Sequence, residues 1–292
     1  MKQPLELRRL RDFGQIINDS FTFLKENFKP LFKALLIICG FFILIGIVST
    51  TFTYMNVDTT IHLDTNSYDV QTKPYEYIVG ALISALILLL TQAFIHLVTV
   101  CYISVYLQKN NATPTLAEVW GYFKYYFFRI LGSGILMFFM LIAGFVFCII
   151  PAIYLGTVFH LIIPIIVIEN SSFGYAFSKS FRLIKNNWWL VFGVIFIMSL
   201  IVGVSAYIAS IPLTIISVGN KFLSLSNFKL PLILIFSVLH NVLSLAYVLP
   251  AIAVCLCYFN LAEEKDGTGL LDRIGKLGTA NDDQTNLPAE EF

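Results

Sequence analysis

Charged side chains are scarce in this chain. Only 13% of its 292 residues are Asp, Glu, Lys or Arg, about half the ~25% that is typical of soluble domains. Hydrophobic residues make up 58% of the sequence, and a water-soluble fold of this length could not bury that much apolar surface. The composition therefore excludes a disordered chain, a nucleic-acid binder and an ordinary soluble enzyme. It indicates a protein that folds in a lipid bilayer.

Motifs for common catalytic and metal-binding chemistries are also lacking. The sequence has no glycine-rich phosphate loop, no nucleophile elbow and no Cys-x-x-Cys pair. All five cysteines lie in apolar runs, where we expect small buried hydrophobic residues rather than disulfides or zinc ligands. Asp64-x-Asn66 resembles the start of a calcium loop, but the required glycine does not follow. We therefore predict a non-enzymatic protein without a cofactor or a metal site.

Stretches without charge locate the membrane spans. They cover residues 34–57, 77–108, 130–168, 186–220 and 230–262. A helix needs roughly 20 apolar residues to cross about 30 Å of hydrocarbon, so the third stretch is long enough for two helices, with a tight turn at Pro151. We also expect Pro212 to close the fifth span and Pro250 to kink the sixth. The sequence thus predicts an all-α integral membrane protein with six transmembrane helices.

The distribution of Lys and Arg indicates the orientation of these spans, because basic residues favour the cytoplasmic side. With six spans, 16 of the 19 basic residues fall on one side, together with both chain ends. The opposite side would hold only Lys73, Lys221 and Lys229. Residues 1–30 lack the uninterrupted apolar core of a signal peptide. We therefore expect the N- and C-termini to be cytoplasmic.

Two segments are related by a constant offset of 160 residues. Seven identities occur in twenty ungapped positions between residues 13–32 and 173–192. In the first segment the identical residues are Phe13, Gly14, Ser20, Phe21, Lys25, Asn27 and Phe32. A weaker copy at 116–131 keeps the lysine of the motif as Lys124. Each copy precedes two predicted spans, which predicts three parallel repeats.

Each copy also has the periodicity of an amphipathic helix. Such a helix is expected to lie in the membrane interface, with its apolar face at the acyl boundary and its basic face in water. The predicted unit is therefore one interfacial helix followed by a transmembrane hairpin. These units would form a single membrane domain, 1–262, with repeats at approximately 4–108, 112–169 and 171–262. An acidic cytoplasmic tail, 263–292, is expected to be partly disordered.

The predicted interfacial helices of the first and third copies supply the candidate interaction site. Their cations would face anionic headgroups, and their aromatic side chains would anchor at acyl depth. The candidate lipid- or partner-facing residues are Lys25, Asn27, Phe28, Lys179, Arg182, Lys185, Asn187, Trp188 and Trp189. The alternative is a structural elbow that only orients each hairpin.

Four polar residues lie inside the predicted spans: Gln92, His96, His160 and His240. No Asp, Glu, Lys or Arg lies in the interior of a span, which weakens the interpretation as an ion-driven transporter. Depths counted at about 1.5 Å per residue allow only His96 and His160 to share a metal ion. Neither has a carboxylate partner in the membrane, so neutral histidines bonded to neighbouring helices are the simpler interpretation.

An ordered series of motifs resembles a known bacterial family. The motifs are Phe13-Gly-Gln-Ile-Ile-Asn-Asp-Ser-Phe, Ile150-Pro-Ala-Ile-Tyr-Leu, Pro164-Ile-Ile-Val-Ile-Glu, Asn187-Trp-Trp and Tyr258-Phe-Asn-Leu-Ala-Glu-Glu-Lys-Asp-Gly. Together they are similar to the membrane domain of glycerophosphodiester phosphodiesterases, in the form without a catalytic domain that is common in Bacteroidetes. The resemblance covers nearly the whole chain and implies a six-span protein of a bacterial inner membrane. It does not imply phosphodiesterase activity, because that activity belongs to a separate soluble domain.

Three functional hypotheses follow from these patterns. The first is a non-enzymatic membrane protein that engages lipids, or other membrane proteins, through its cytoplasmic interfacial helices. The second is a small-molecule or lipid transporter or flippase with a pathway between the repeats. A polar cavity that reaches Gln92, His96 and His160 would favour transport, whereas a core packed with Phe and Leu would count against it. The third is an intramembrane metalloenzyme that uses His96 and His160. No nucleic-acid partner is expected.

Overall fold

A computed structural model describes residues 5–56, 74–147, 149–223 and 228–267. The α-helices are α1 (Phe13–Asn56), α2 (Pro74–Gln108), α3 (Leu116–Phe147), α4 (Ile149–Ile168), α5 (Phe173–Ile184), α6 (Trp188–Leu223), α7 (Lys229–Leu243) and α8 (Val248–Asp266). A 3₁₀ turn, Ser244–Tyr247, joins the last two. The described residues contain no β-strand. The predicted all-α fold class is confirmed.

Six spans are long and apolar enough to cross a membrane within the described residues. Five of them are α1, α2, α3, α4 and α6, and the sixth is formed by α7, the 3₁₀ turn and α8 together. Their order matches the order of the charge-free stretches. The short helix α5 is amphipathic and has only 12 residues, fewer than a span requires. Six spans were therefore predicted correctly.

Local capping residues set the beginnings of two helices and the end of another. Asp12 and Gln15 exchange side-chain to backbone hydrogen bonds before α1, at 2.7 and 3.3 Å. Thr115 and Glu118 do the same before α3, at 2.7 and 3.4 Å. Both pairs satisfy backbone N–H groups that lack helical partners. The last helix, α8, ends at Gly267, whose left-handed conformation (φ 58°) favours glycine.

The break between α3 and α4 lies slightly before the predicted turn. Helix α3 ends at Phe147 and α4 begins at Ile149, so Pro151 lies in the first turn of α4. A proline fits there because the first N–H groups of a helix have no intrahelical partner. Pro250 likewise lies in the first turn of α8, directly after the 3₁₀ turn. Its ring and missing N–H remove the backbone bond to Ala246, and the sixth span is interrupted by the 3₁₀ turn just before this proline.

The prediction that Pro212 closes the fifth span is wrong. Helix α6 continues through this proline to Leu223. Pro30 and Pro164 also lie inside helices, α1 and α4. A proline in a transmembrane helix removes one backbone bond, and packing against neighbouring helices compensates for the loss. Proline alone is therefore a weak helix terminator in this bundle.

The predicted separate interfacial helix is present only in the third copy, as α5. In the first and middle copies, α1 and α3 each run without a break from the motif into the span. The break after α5 falls at residues 185–187, where Asn186 stands at the position of Glu26 in the first copy. Asparagine is a poorer helix former than glutamate. The substitution lowers the helix propensity at the point where the third copy turns.

Helix α8 forms the centre of the bundle. Every side chain from Ala251 to Ala262 is buried, as expected for a helix that is apolar on all sides. Helices α1, α2, α4 and α6 pack around it. Cys39, Cys101, Cys255 and Cys257 are free and buried, as predicted. Helix α8 also includes residues 263–266, which the sequence had assigned to the tail.

Several sequence predictions concern residues outside the described ranges. They are the calcium-like segment that begins at Asp64, Lys73 on the opposite side, Cys148, and the tail from residue 268 onward.

Candidate lipid-facing site

One end of the bundle, called here the basic end, carries the candidate site. It is the end at which α1, α3 and α6 begin and α2, α4 and α8 end. Salt bridges hold the helix ends together there, and they recur in each of the three copies of the motif.

The first salt bridge fixes the segment before α1. Arg9 Nη2 and Arg11 Nε contact Asp19 Oδ2 at 2.6 and 2.8 Å. The Arg11 side chain is fully buried, and its remaining N–H groups donate to three backbone carbonyls of the same segment. Burial lowers the pKa of Arg11 and Asp19 opposes that effect; an arginine remains protonated at neutral pH. The Arg11 backbone N–H donates to Asn260 Oδ1 at 2.7 Å, which ties this segment to α8.

Each of the other two copies also has a salt bridge near its start. Lys109 Nζ contacts Glu118 Oε1 at 3.1 Å at the start of α3. Lys179 Nζ contacts Glu169 Oε1 at 2.8 Å at the start of α5. At the offset of 160 residues, the first copy's Arg9–Asp19 pair maps onto Glu169 and Lys179 with its charges exchanged. A salt bridge thus joins the equivalent positions of both copies, although the two charges are exchanged.

The third salt bridge extends into a network on α8. Lys179 also contacts Asp266 at 3.2 Å, and the Tyr258 hydroxyl donates to Glu169. Burial acts against the charge of Lys179, but the hydrogen bonds and charges of Glu169 and Asp266 together raise its pKa. Asn187 Nδ2 donates to Glu264 Oε2 at 2.6 Å. These contacts attach α5 to the ends of α4 and α8.

Two candidate lipid-facing residues are therefore placed differently from the prediction. Asn27 is 2% exposed, accepts a hydrogen bond from the Tyr102 hydroxyl at 3.1 Å and donates to the Phe23 carbonyl at 3.2 Å. The Lys179 side chain is only 11% exposed and is paired with two carboxylates. Neither side chain faces headgroups. Asn187 and Trp188 are half-buried, and Trp188 stacks on Phe192 with ring centroids 4.9 Å apart.

Helix α1 has two apolar faces, whereas the sequence analysis assumed one. This difference explains why the prediction for Asn27 was wrong. The stripe that packs against the protein is Ile16, Ser20, Phe23, Asn27 and Leu31, all buried. A second apolar face, with Phe13, Phe21 and Phe28, is exposed. The sequence pattern predicted a single apolar face that combined Ile16 and Leu31 with Phe13, Phe21 and Phe28, and it left Phe23 out. Phe23 packs edge-on against Tyr106 at 5.4 Å, and this contact decides which face is inside.

The other candidate residues are accessible. Lys25, Phe28, Lys185 and Trp189 are exposed, and the Arg182 side chain is 61% exposed although it lies 3.5 Å from Asp266. A cleft of about 740 Å³ opens beside α1 at this position. Its lining consists of Phe21, Leu24, Lys25, Glu26, Phe28, Lys29 and Pro30. Lys29 was not among the predicted site residues, although it lies one helical turn after Lys25.

The middle copy contributes a similar surface that sequence reasoning passed over. Trp120 and Tyr125 are exposed. Lys124 Nζ lies 5.6 Å from the Trp120 ring centroid, and the Arg129 guanidinium lies 5.6 Å from the Tyr125 ring. A second cleft of about 710 Å³ lies between the end of α2 and this part of α3. Cations over aromatic rings are thus a shared feature of this end of the bundle.

The intramembrane polar residues lie on two different seams. His96 on α2 and His160 on α4 have ring centroids 6.2 Å apart, as the depth argument allowed. Gln92 lies one turn before His96 and is half-buried. His240 lies on α7, which packs against α1 and α6. Among the described residues, no three His, Cys, Asp or Glu side chains form a group that could hold a metal ion.

The centre of the bundle is filled with apolar side chains. Ile95, Val98, Ile162 and Ile165, on the same two helices as the histidine pair, are fully buried, and they belong to one continuous cluster with α8. This packing counts against a pathway through the centre.

These helices define a multi-spanning membrane protein. Comparison of the chain with protein-family models, with curated proteins and with solved structures gave no match.

Proposed function

We propose that this non-enzymatic, multi-pass protein binds anionic phospholipid headgroups at the basic end of its bundle. In this proposal the protein resides in a bacterial inner membrane, with both termini in the cytoplasm. The observation that carries the proposal is the α1 cleft, whose lining includes the exposed Lys25 and Lys29 together with Phe21, Phe28 and one acidic residue, Glu26. Membrane lipids are then the principal binding partner of the protein, and other membrane proteins are a secondary binding partner.

Depth supports the assignment of the cleft to headgroups. Lys29 lies five residues before Ala34, where the charge-free stretch begins, and five residues correspond to about 7 Å of helix. The headgroup region is about 5–8 Å thick on each side of the hydrocarbon core. Lys29 is therefore at headgroup depth, and Lys25, one turn further out, reaches it because lysine side chains extend toward the interface. Phe28 at the same level provides an aromatic anchor.

The third copy supports the same function with a comparable arrangement. Lys185 is exposed one turn before Trp189, whose side chain is 78% exposed. The Arg9–Asp19 and Glu169–Lys179 salt bridges connect equivalent positions of the first and third copies, which supports the proposed repeat. In the middle copy Glu118 is the counterpart of Asp19, and its partner Lys109 lies one residue after the counterpart of Arg9. We propose in addition that the chain is related to the membrane domain of glycerophosphodiester phosphodiesterases, on the ordered motifs described above.

Native mass spectrometry of the purified full-length protein tests the lipid proposal. The protein is exchanged into mixed micelles that contain equal amounts of phosphatidylglycerol and a zwitterionic lipid, and retained lipids are counted. Each lysine near an anionic surface contributes about 1 kcal/mol, so Lys25→Gln with Lys29→Gln should weaken phosphatidylglycerol retention by about thirtyfold. Zwitterionic lipid retention should not change.

A matched control separates local recognition from net charge. Lys73→Gln with Lys221→Gln removes the same charge from the predicted opposite end and should leave retention at that of the unsubstituted protein. Asn27→Ala should also leave it unchanged, because Asn27 is buried. Equal retention by the Lys25/Lys29 variant and the unsubstituted protein would reject the proposal.

A further inference from the structure

The histidine pair on α2 and α4 lies near the middle of the membrane. His96 is 12 residues before the end of α2 and His160 is eight before the end of α4, which correspond to about 18 and 12 Å of helix. The midplane lies about 15 Å from either edge of the hydrocarbon core. The two ring planes are inclined by 31°. Polar side chains at this depth are costly and are commonly retained for a function.

The hydrogen bond of His160 fixes its tautomer. Its Nδ1 lies 2.7 Å from the Gly156 carbonyl oxygen. A carbonyl oxygen only accepts, so in the neutral ring Nδ1 carries the proton and Nε2 carries a free lone pair. Histidines that bind metals are usually held by such a bond from the nitrogen that does not coordinate.

His96 presents an unused nitrogen on the facing helix. Its Nε2 is buried and has no hydrogen-bond partner. The hydrocarbon region supplies no water to satisfy that atom, and leaving it without a partner costs free energy. The pair therefore offers the Nε2 lone pair of His160, which the hydrogen bond to Gly156 fixes, and the Nε2 atom of His96, which a bound ligand would satisfy.

The spacing of the rings discriminates among metal geometries. A metal bound to an imidazole nitrogen lies about 2.0–2.1 Å from that atom and hence about 3.2 Å from the ring centroid. Two rings that share an ion would then stand about 5.2 Å apart at a tetrahedral angle and about 6.4 Å apart when directly opposed. With the Nε2 edges of the two rings turned toward each other, the observed centroid separation of 6.2 Å fits the opposed arrangement. Nearly linear coordination by two nitrogens is typical of monovalent copper, whose filled d shell imposes no higher coordination number.

The charge of the bound ion also favours monovalent copper. The ligands are neutral, and the described residues supply no third His, Cys, Asp or Glu ligand. A divalent ion without an anionic ligand would carry two uncompensated charges into a medium of low dielectric constant, whereas Cu⁺ carries one. Gln92, one turn before His96, adds only an amide oxygen, which is a hard ligand and suits this ion poorly.

We propose that His96 and His160 form an intramembrane site for one Cu⁺ ion, coordinated through the Nε2 atom of each ring. The site is independent of the proposed lipid function, since it lies on a different seam and uses different residues.

Competition for Cu⁺ tests the site in the full-length protein. The purified protein is titrated in detergent, without oxygen and with ascorbate, against the copper chelator bicinchoninate. One Cu⁺ per chain should bind, and His96→Gln and His160→Gln should each weaken binding at least a hundredfold. His240→Gln is the matched control and should bind as the unsubstituted protein does. Substoichiometric copper, or equal binding in all three variants, would overturn the proposal.

Two measurements on the unsubstituted protein avoid any question of misfolded variants. Copper should protect His160, which is exposed, but not His240, from carbethoxylation by diethyl pyrocarbonate, as read by peptide mass spectrometry. X-ray absorption should show two nitrogen neighbours at about 2 Å. Unchanged labelling, or sulfur neighbours from the buried cysteines, would overturn the site. Zn²⁺ binding with the same histidine dependence, in the absence of Cu⁺ binding, would overturn the assignment of the ion.

Discussion

Removing the carboxylate of Asp19 should destabilise the protein by about 3–5 kcal/mol, because it leaves a buried charge without its partner. The charge belongs to Arg11, whose side chain is fully buried and whose Nε lies 2.8 Å from Asp19. In Asp19→Ala the guanidinium keeps its bonds to three backbone carbonyls. Those bonds offset part of the loss, so we expect a value near about 3 kcal/mol, at the lower end of that range.

Arg9 provides the matched control, since it contacts the same carboxylate oxygen at 2.6 Å but is 40% exposed. An exposed ion pair contributes about 0.2–1 kcal/mol. Arg9→Gln should therefore cost no more than about 1 kcal/mol, and the two substitutions should differ clearly although they interrupt neighbouring contacts.

The buried cysteines supply the assay. Cys39, Cys101, Cys255 and Cys257 are free and buried, so a maleimide dye that fluoresces on reaction reports unfolding in detergent. At about 2–4 °C per kcal/mol, Asp19→Ala should lower the apparent melting temperature by at least about 6 °C. Arg9→Gln should lower it by no more than about 4 °C. A shift for Asp19→Ala no larger than that for Arg9→Gln would refute the reasoning that Arg11 depends on Asp19.

Two further predictions use the same melting assay. Gly46→Ala should cost about 1–3 kcal/mol by overpacking, since a Cβ there would lie 2.3 Å from Asn241 Oδ1, whose amide is held by Thr50 and Ser237. Gly40→Ala, with no neighbour within 4 Å, should cost nothing; equal losses at both sites would contradict this account. The pKa of Lys179 is raised in the folded protein above the ordinary lysine value of 10.5, so its charge stabilises the fold as long as the lysine is protonated. The difference in stability between the unsubstituted protein and Lys179→Gln should therefore be constant from pH 7 to about pH 9. It should shrink as the pH rises beyond 10.5. A difference that grows at alkaline pH would show that the positive charge does not stabilise the fold.

The number and order of the spans followed from the sequence because the bilayer imposes a simple rule. A charge in the hydrocarbon core is costly, so uninterrupted apolar stretches must coincide with spans. The rule also placed the hairpin inside residues 130–168, where the structure has α3 and α4. It did not fix helix ends: Pro212 lies within α6, because neighbouring helices compensate for a missing backbone bond.

The candidate site was predicted less completely than the fold. Lys25, Phe28, Lys185 and Trp189 are exposed, and an exposed cation next to an aromatic residue is visible in the pattern. The burial of Asn27 was not visible, because it depends on Tyr102, which is 75 residues away in the chain. Lys179 was taken for a headgroup ligand for the same reason, since its partner Asp266 is distant in sequence.

The scarcity of charge by itself determined that this chain crosses a membrane six times, because the cost of burying charge in hydrocarbon depends on composition and local order alone. Tertiary structure decided which face of α1 is inside, which cations are paired and which are exposed. It also brought His96 and His160 within 6.2 Å of each other. Those outcomes depend on contacts between helices far apart in the chain, which no local pattern specifies.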